Sequence, residues 1–130
     1  MIRTSPSIAS SLKAAFVATA LLVAAPAVHA QEVWGAVASD GRQQFGVAVG
    51  MATREAAEIS ALGECGGGPT CRIRLATLAR CVAFAYSSSG VASGYGAAPT
   101  KEAAEQSAWN DCNARVVSDS CSIRSGRCFE

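Results

Sequence analysis

The stretch Thr53-Arg54-Glu55-Ala56-Ala57-Glu58 returns 47 residues later as Thr100-Lys101-Glu102-Ala103-Ala104-Glu105. The offset holds onward through Ser60/Ser107, Ala61/Ala108, the bulky pair Leu62/Trp109, the acidic pair Glu64/Asp111 and Cys65/Cys112. It holds backward to Val37-Ala38 and Phe84-Ala85. After a three-residue insertion, Cys71 matches Cys121, and Ile73-Arg74 match Ile123-Arg124. Ala-rich helices can resemble one another by composition alone. A match that also keeps the Thr, the acids, the bulky residue and the following Cys reads as an internal repeat.

Each copy has one order of elements. Val33–Ala38 alternates as a strand, Asp40-Gly41 supplies a turn, and Gln44–Val49 returns. Thr53 is an N-cap, and Glu55 and Glu58 fall in the first turns of a helix, where the helix dipole favours acids. Ala57, Ala61, Leu62 and Cys65 share one helical face, and Gly66-Gly67-Gly68-Pro69 ends the helix. Cys71–Leu78 is then a strand with Arg72 and Arg74 on one face and Ile73 and Leu75 on the other. The second copy runs Cys81–Tyr86, a loop at Ser87–Gly90, Val91–Tyr95, a helix from Lys101 to about Cys112, and a strand near Cys121–Arg127. Its helix carries Ala104, Ala108, Trp109 and Cys112 on the matching face. The expectation is an α+β fold: a tandem ββαβ repeat with two helices packed on a six-stranded, mainly antiparallel sheet. Leu62 and Trp109 are expected to fill the core beside the small Ala side chains.

The repeat begins only after an amino-terminal segment of another kind. Met1–Lys13 is polar with two cations, and Ala14–Val28 is apolar apart from Thr19 and Pro26. Val28-His29-Ala30 offers small residues at the two positions a signal peptidase reads. Residues 1–30 are therefore expected to be a cleaved signal peptide. Residues 31–130 are expected to be a single exported domain, periplasmic or extracellular, with repeats of about 33–80 and 81–128. No later segment approaches the length of a membrane span, so none is expected in the mature chain.

Removing the leader changes what chemistry is available. The only histidine, His29, goes with it, leaving nine Lys/Arg against ten Asp/Glu. No imidazole remains for a Ser-His-Asp or Cys-His pair, or for a His-ligated metal. A nearly neutral chain lacks the charge for non-specific nucleic-acid binding. No cofactor or metal is expected.

The six cysteines all follow residue 31. In an exported chain of this size such cysteines serve as disulfides. The need is physical: only 22 residues of the mature chain are Val, Ile, Leu, Met, Phe, Trp or Tyr. So thin a core calls for covalent support. Zinc knuckles want tighter spacing than Cys65-x5-Cys71 and Cys112-x8-Cys121, and no C-x-x-C exists for thiol redox chemistry. The repeat makes Cys65–Cys71 and Cys112–Cys121 equivalent pairs, each joining a helix end to the next strand. Cys81–Cys128 is left as the third.

The Trp34-Gly35-Ala36-Val37-Ala38 strand leads into a Gly-spaced hairpin and an acidic Ala-rich helix that ends in Cys. A second Cys and a strand follow, and Cys81-Val82-Ala83 opens a similar half. This pattern resembles the domain-of-unknown-function family 4189 of exported bacterial proteins. The resemblance covers about Val33 to Cys128. It implies the architecture and the export, and it implies no activity.

Four features are candidates for function. Arg72, Arg74, Arg124 and Arg127 lie on the last strand of each repeat and would form a basic patch if those strands are neighbours. The Ser87–Gly96 run, with Ser87, Ser88, Ser89 and Gly90 at its start, reads as an exposed loop suited to recognition. Gly94-Tyr95-Gly96 faintly resembles a dinucleotide fingerprint, but its third Gly is replaced by Pro99 and the first repeat shows no matching glycines. The pairs Glu55/Glu58 and Glu102/Glu105 are explained as dipole-matched helix faces. The expected function is a non-catalytic binding module of the bacterial envelope, its partner a protein or an anionic envelope component and not nucleic acid. The alternatives are an inhibitor or immunity-type protein that blocks a secreted enzyme with the Ser87–Gly96 loop, and a small carboxylate-dependent hydrolase.

Overall fold

The computed structural model describes residues 32–89, 91–117 and 119–130. Residues 1–30, expected to be a signal peptide, and Gly90 of the expected binding loop lie outside the described residues. Two helices and six strands follow the order ββαβ-ββαβ: β1 (Trp34–Ser39), β2 (Phe45–Met51), α1 (Arg54–Cys65), β3 (Arg72–Leu78), β4 (Cys81–Ser87), β5 (Ala92–Ala98), α2 (Lys101–Asn113) and β6 (Ser122–Cys128). Thr53 and Thr100 cap the helices, their side chains accepting from the backbone N–H of Ala56 at 3.1 Å and of Ala103 at 3.3 Å. Gly66 closes α1 in the left-handed conformation at φ 114°.

The six strands form two antiparallel sheets of three, ordered β2-β1-β3 and β5-β4-β6, and not the single sheet expected from the sequence. The reason lies in the central strands, which are apolar on both faces. Ala36 and Ala38 of β1 pack with Ala57 and Ala61 of α1, and Ala83 and Ala85 of β4 pack with Ala104 and Ala108 of α2. The opposite faces carry Val37 and Val47 in one sheet and Val82, Phe84 and Tyr86 in the other, and these form one shared cluster. A single sheet with helices on one side would leave that second face in water. Stacking the sheets buries it. The layers are therefore α1, first sheet, second sheet, α2. Small side chains line each helix–sheet contact and large ones the contact between sheets. Phe45 stacks on Phe84 across the latter, with ring centroids 4.5 Å apart.

Glycine sets the close helix approach. A β-carbon on Gly46 would run into the backbone of Ala61 and Cys65, and one on Gly94 into the backbone of Ala108 and Cys112. The first repeat thus does carry a glycine matching Gly94, one residue out of the 47-residue register. Ala38 opposes Gly46 as Ala85 opposes Gly94.

A second correction concerns β3. The register slips between Val37 and Ala38, so that Ala38 faces Ile73 and Val37 faces Leu75, and Arg74 is the extra residue of a bulge. Ile73 therefore packs on the helix side and Leu75 on the inter-sheet side, not on one face together. The same slip between Phe84 and Ala85 makes Arg124 the bulged residue of β6. Leu62 and Trp109 occupy matching places, but both are half-buried at the border of their clusters and do not fill the core.

Three disulfides, Cys65–Cys71, Cys112–Cys121 and Cys81–Cys128, staple the layers. The first two tie a helix end to the following strand, and the third ties β4 to the end of β6. No described helix is long and apolar enough to cross a membrane.

Candidate basic surface at the hairpin end

Strand direction gathers the arginines. Arg72 opens β3 opposite Ser39, where β1 ends, and Ser122 opens β6 opposite Tyr86, near the end of β4. Asp40, Arg42, Gln43 and Gln44, with Tyr86 and Val91, line one hollow of about 340 Å³ between the two hairpins. Both hairpin tips and the starts of β3 and β6 therefore share one end of the sandwich. Arg72, Arg74 and Arg124 lie there, joined by Arg42, which lines the hollow directly.

Each of three arginines is held by a specific local feature. Asp40 accepts from the backbone N–H of Arg42 at 2.7 Å, an Asx turn that fixes the loop carrying this side chain. Arg74 donates from Nε to the carbonyl of Ser39 at 3.2 Å, a reach that its bulged position gives it. Arg124, its counterpart, lies 5.7 Å from the centroid of the Tyr86 ring. Nearby, Tyr95 bridges the sheets: its hydroxyl pairs with Ser93 Oγ at 2.8 Å and donates to Ser39 Oγ at 3.4 Å. Val91 holds φ 49°, a left-handed conformation that is strained for a β-branched residue.

The ion pairs separate these arginines from most of the other cations; Arg80, also outside the pairs, donates instead to the carbonyl of Phe129 at 2.8 Å. Among the described residues the pairs are Arg54–Glu58, Lys101–Glu105, Arg115–Asp111 and Arg127–Glu64. Glu58, Glu64, Glu105 and Asp111 of the helices are thus matched by cations. Arg42, Arg72, Arg74 and Arg124 take part in none of these pairs. Arg127 stands apart from that group. It donates to the carbonyl of Val47 at 2.8 Å and to Glu64 at 3.1 Å, so it spans from β6 to β2 and α1 of the other half.

The serine-rich run is mostly not a loop. Ser87 is buried at the end of β4 with its Oγ against that of Ser120, and Ala92–Ala98 is strand β5. Only Ser88, Ser89 and Val91 are exposed there, beside Gly90. Gly94 and Gly96 lie under α2, where each clears helix backbone, so they form no nucleotide-binding turn. The two helix carboxylate pairs sit on separate outer layers, and no cluster of three His, Cys, Asp or Glu suited to a metal occurs among the described residues. Sequence reasoning missed Arg42 and Tyr86. The usable signal was alignment of the two hairpin turns, which at the 47-residue offset sets Asp40 against Ser87 and Arg42 against Ser89.

Comparison with known proteins supplies a family and a fold. The profile described as Domain of unknown function (DUF4189) matches residues 34–128, and the chain belongs to that family. The fold is similar to the NMR structure of Rv1813c from Mycobacterium tuberculosis. That protein is 27% identical, with 75% of each chain covered and a TM-score of 0.54. A search of the curated proteins found no match.

Proposed function

We propose that this DUF4189 protein is an exported, non-catalytic binding module that captures an anionic partner through the arginines of its hairpin end. One observation carries the reading: Arg42, Arg72, Arg74 and Arg124 gather at one end and lie outside the ion pairs that occupy Arg54, Lys101, Arg115 and Arg127, while Arg80 donates to the carbonyl of Phe129 away from that end. Cations left without carboxylate partners on a nearly neutral protein give a local positive field. Arginine presents a planar fork that grips carboxylate or phosphate in bidentate fashion without exchanging protons near neutral pH. Rigid mounting helps: strands, a bulge and a turn hold these side chains, so less ordering is needed on binding.

Export is supported by the leader-like residues 1–30 and by three disulfides, which persist in oxidising compartments. The partner is an anionic component of the envelope. The inhibitor reading is weakened because most of its loop is strand, and the hydrolase reading because Glu58 and Glu105 are engaged with Arg54 and Lys101. The test is capture from an envelope fraction by the immobilised protein at low and high salt. Exposed charge pairs are screened over about 8 Å at physiological ionic strength and about 3 Å at 1 M. Capture should fall steeply across that range; capture indifferent to salt contradicts the proposal.

A further inference from the structure

The two halves act as each other's control along the groove between helix and last strand. In the second half, Glu102, Glu105, Gln106, Trp109 and Ile123 line a hollow of about 350 Å³ between α2 and β6. The repeat makes Leu62 the counterpart of Trp109, Ile59 of Gln106, and Ala76 of Gly126. The first half thus has an aliphatic residue at each place where the second has an indole, an amide or no side chain.

The fold does not require any of these three differences, since the first half is built without them. Glycine inside a strand weakens it. Trp109 is only half-buried, so much of its area does not contribute to the core. Gln106 is exposed. The differences do serve the hollow. A β-carbon on Gly126 would lie 2.9 Å from both Cγ and Cδ of Glu105, so its absence lets that carboxylate lie over the strand. Glu105 is also more loosely paired than its counterpart: Lys101 is 3.9 Å away, whereas Arg54 is 2.9 Å from Glu58.

We infer that this hollow binds one ring of a neutral saccharide. Trp109 and Ile123 offer apolar walls to the C–H faces of a pyranose. Glu102 and Glu105 accept hydrogen bonds from its hydroxyls, and the Gln106 amide accepts and donates. The volume falls at the lower end of small-molecule sites, about 300–1,000 Å³. The paired carboxylates exclude acidic sugars, so this site and the arginine end take different chemistry. Glu102 and Glu105 are one turn apart on the same helix and therefore on one wall. They cannot flank a glycosidic bond from opposite sides as hydrolysis requires, so the site binds without cleaving.

The test uses protein exported by cells expressing the full chain. Maltotriose and tri-N-acetylchitotriose are titrated while the indole N–H signal of Trp109 is followed by NMR, with Nα-acetyl-lysine amide as an amine probe. Trp34→Phe identifies the signal. A saturable shift with at least one of the sugars is expected, insensitive to salt. Trp109→Leu installs the residue of the first half and should keep the fold, as judged by melting, while affinity falls at least tenfold. Gly126→Ala, which displaces Glu105, should weaken binding in the same direction. No shift at tens of millimolar of either sugar, a shift with the amine alone, or equal affinity in Trp109→Leu would each overturn the inference.

Discussion

Gly94→Ala is the sharpest perturbation of the packing described above. The added β-carbon would meet Ala108 O, Cys112 N and Cys112 Cβ, the last at 2.7 Å. Two of the three are helix backbone atoms, which cannot rotate away. The third belongs to a residue bonded to Cys121, so the helix end cannot easily lift. Either α2 rises from β5 or the strand bends into the inter-sheet layer. Overpacking of this kind costs about 1–3 kcal/mol. For a domain of this size each kcal/mol moves the midpoint by about 4–8 °C, so the melting temperature should drop by roughly 5–20 °C. Gly63→Ala is the matched control. Gly63 lies within α1, exposed, with nothing within 4 Å of its added β-carbon. There the same chemical change should stabilise by about 0.5–1 kcal/mol through helix propensity and the unfolded chain. Calorimetry of the two variants gives opposite signs if the account is right. A neutral or stabilising Gly94→Ala would refute the close helix–sheet contact on which the fold rests.

Three further outcomes are expected. Replacing Cys81 and Cys128 by Ser opens the longest loop, with a sequence separation of 47. In the loop-entropy picture it should cost about 4 kcal/mol, against about 2–3 for either short loop, as denaturant titration would show. Trp109→Ala should cost about 2 kcal/mol in the same assay, below the ~3–5 of a fully buried aromatic, because its side chain is half-buried. Mass spectrometry of exported protein should give a chain beginning at Gln31; a retained Met1 would contradict the leader reading.

Much of the fold was legible because the residues carrying it act locally. Thr53 and Thr100 announce helix starts through a side-chain bond three residues ahead, and the repeat equivalence of the cysteines selects the pairs found. The stacking of two sheets was not legible. Cys81–Ser87 is buried throughout, and an apolar run on both faces does not say whether a helix or a sheet covers the second. The bulges at Arg74 and Arg124 also escaped, since one unpaired residue exchanges the faces of everything after it and leaves no mark in composition. Gly46 was overlooked for a related reason: the strand slips one place against the repeat, and only the backbone of Ala61 and Cys65 reveals what the glycine is for. For the candidate site, Arg72, Arg74 and Arg124 were visible as strand residues. Arg42 was not, because it reaches the same end from a turn. Arg127 could not be told from the others until its bonds to Val47 and Glu64 were seen.

The arginine end is tested most directly by reversing Arg72, Arg74 and Arg124 together to Glu and measuring capture of the anionic envelope component beside the melting temperature. The three side chains are exposed and form no ion pair among the described residues, so the fold should lose little beyond the Arg74–Ser39 bond, worth about 1 kcal/mol, and the Arg124–Tyr86 contact, worth about 0.5–1 kcal/mol. The account predicts that capture is abolished while the protein still melts cooperatively within a few degrees of the parent. Capture that survives the triple reversal undiminished would contradict it.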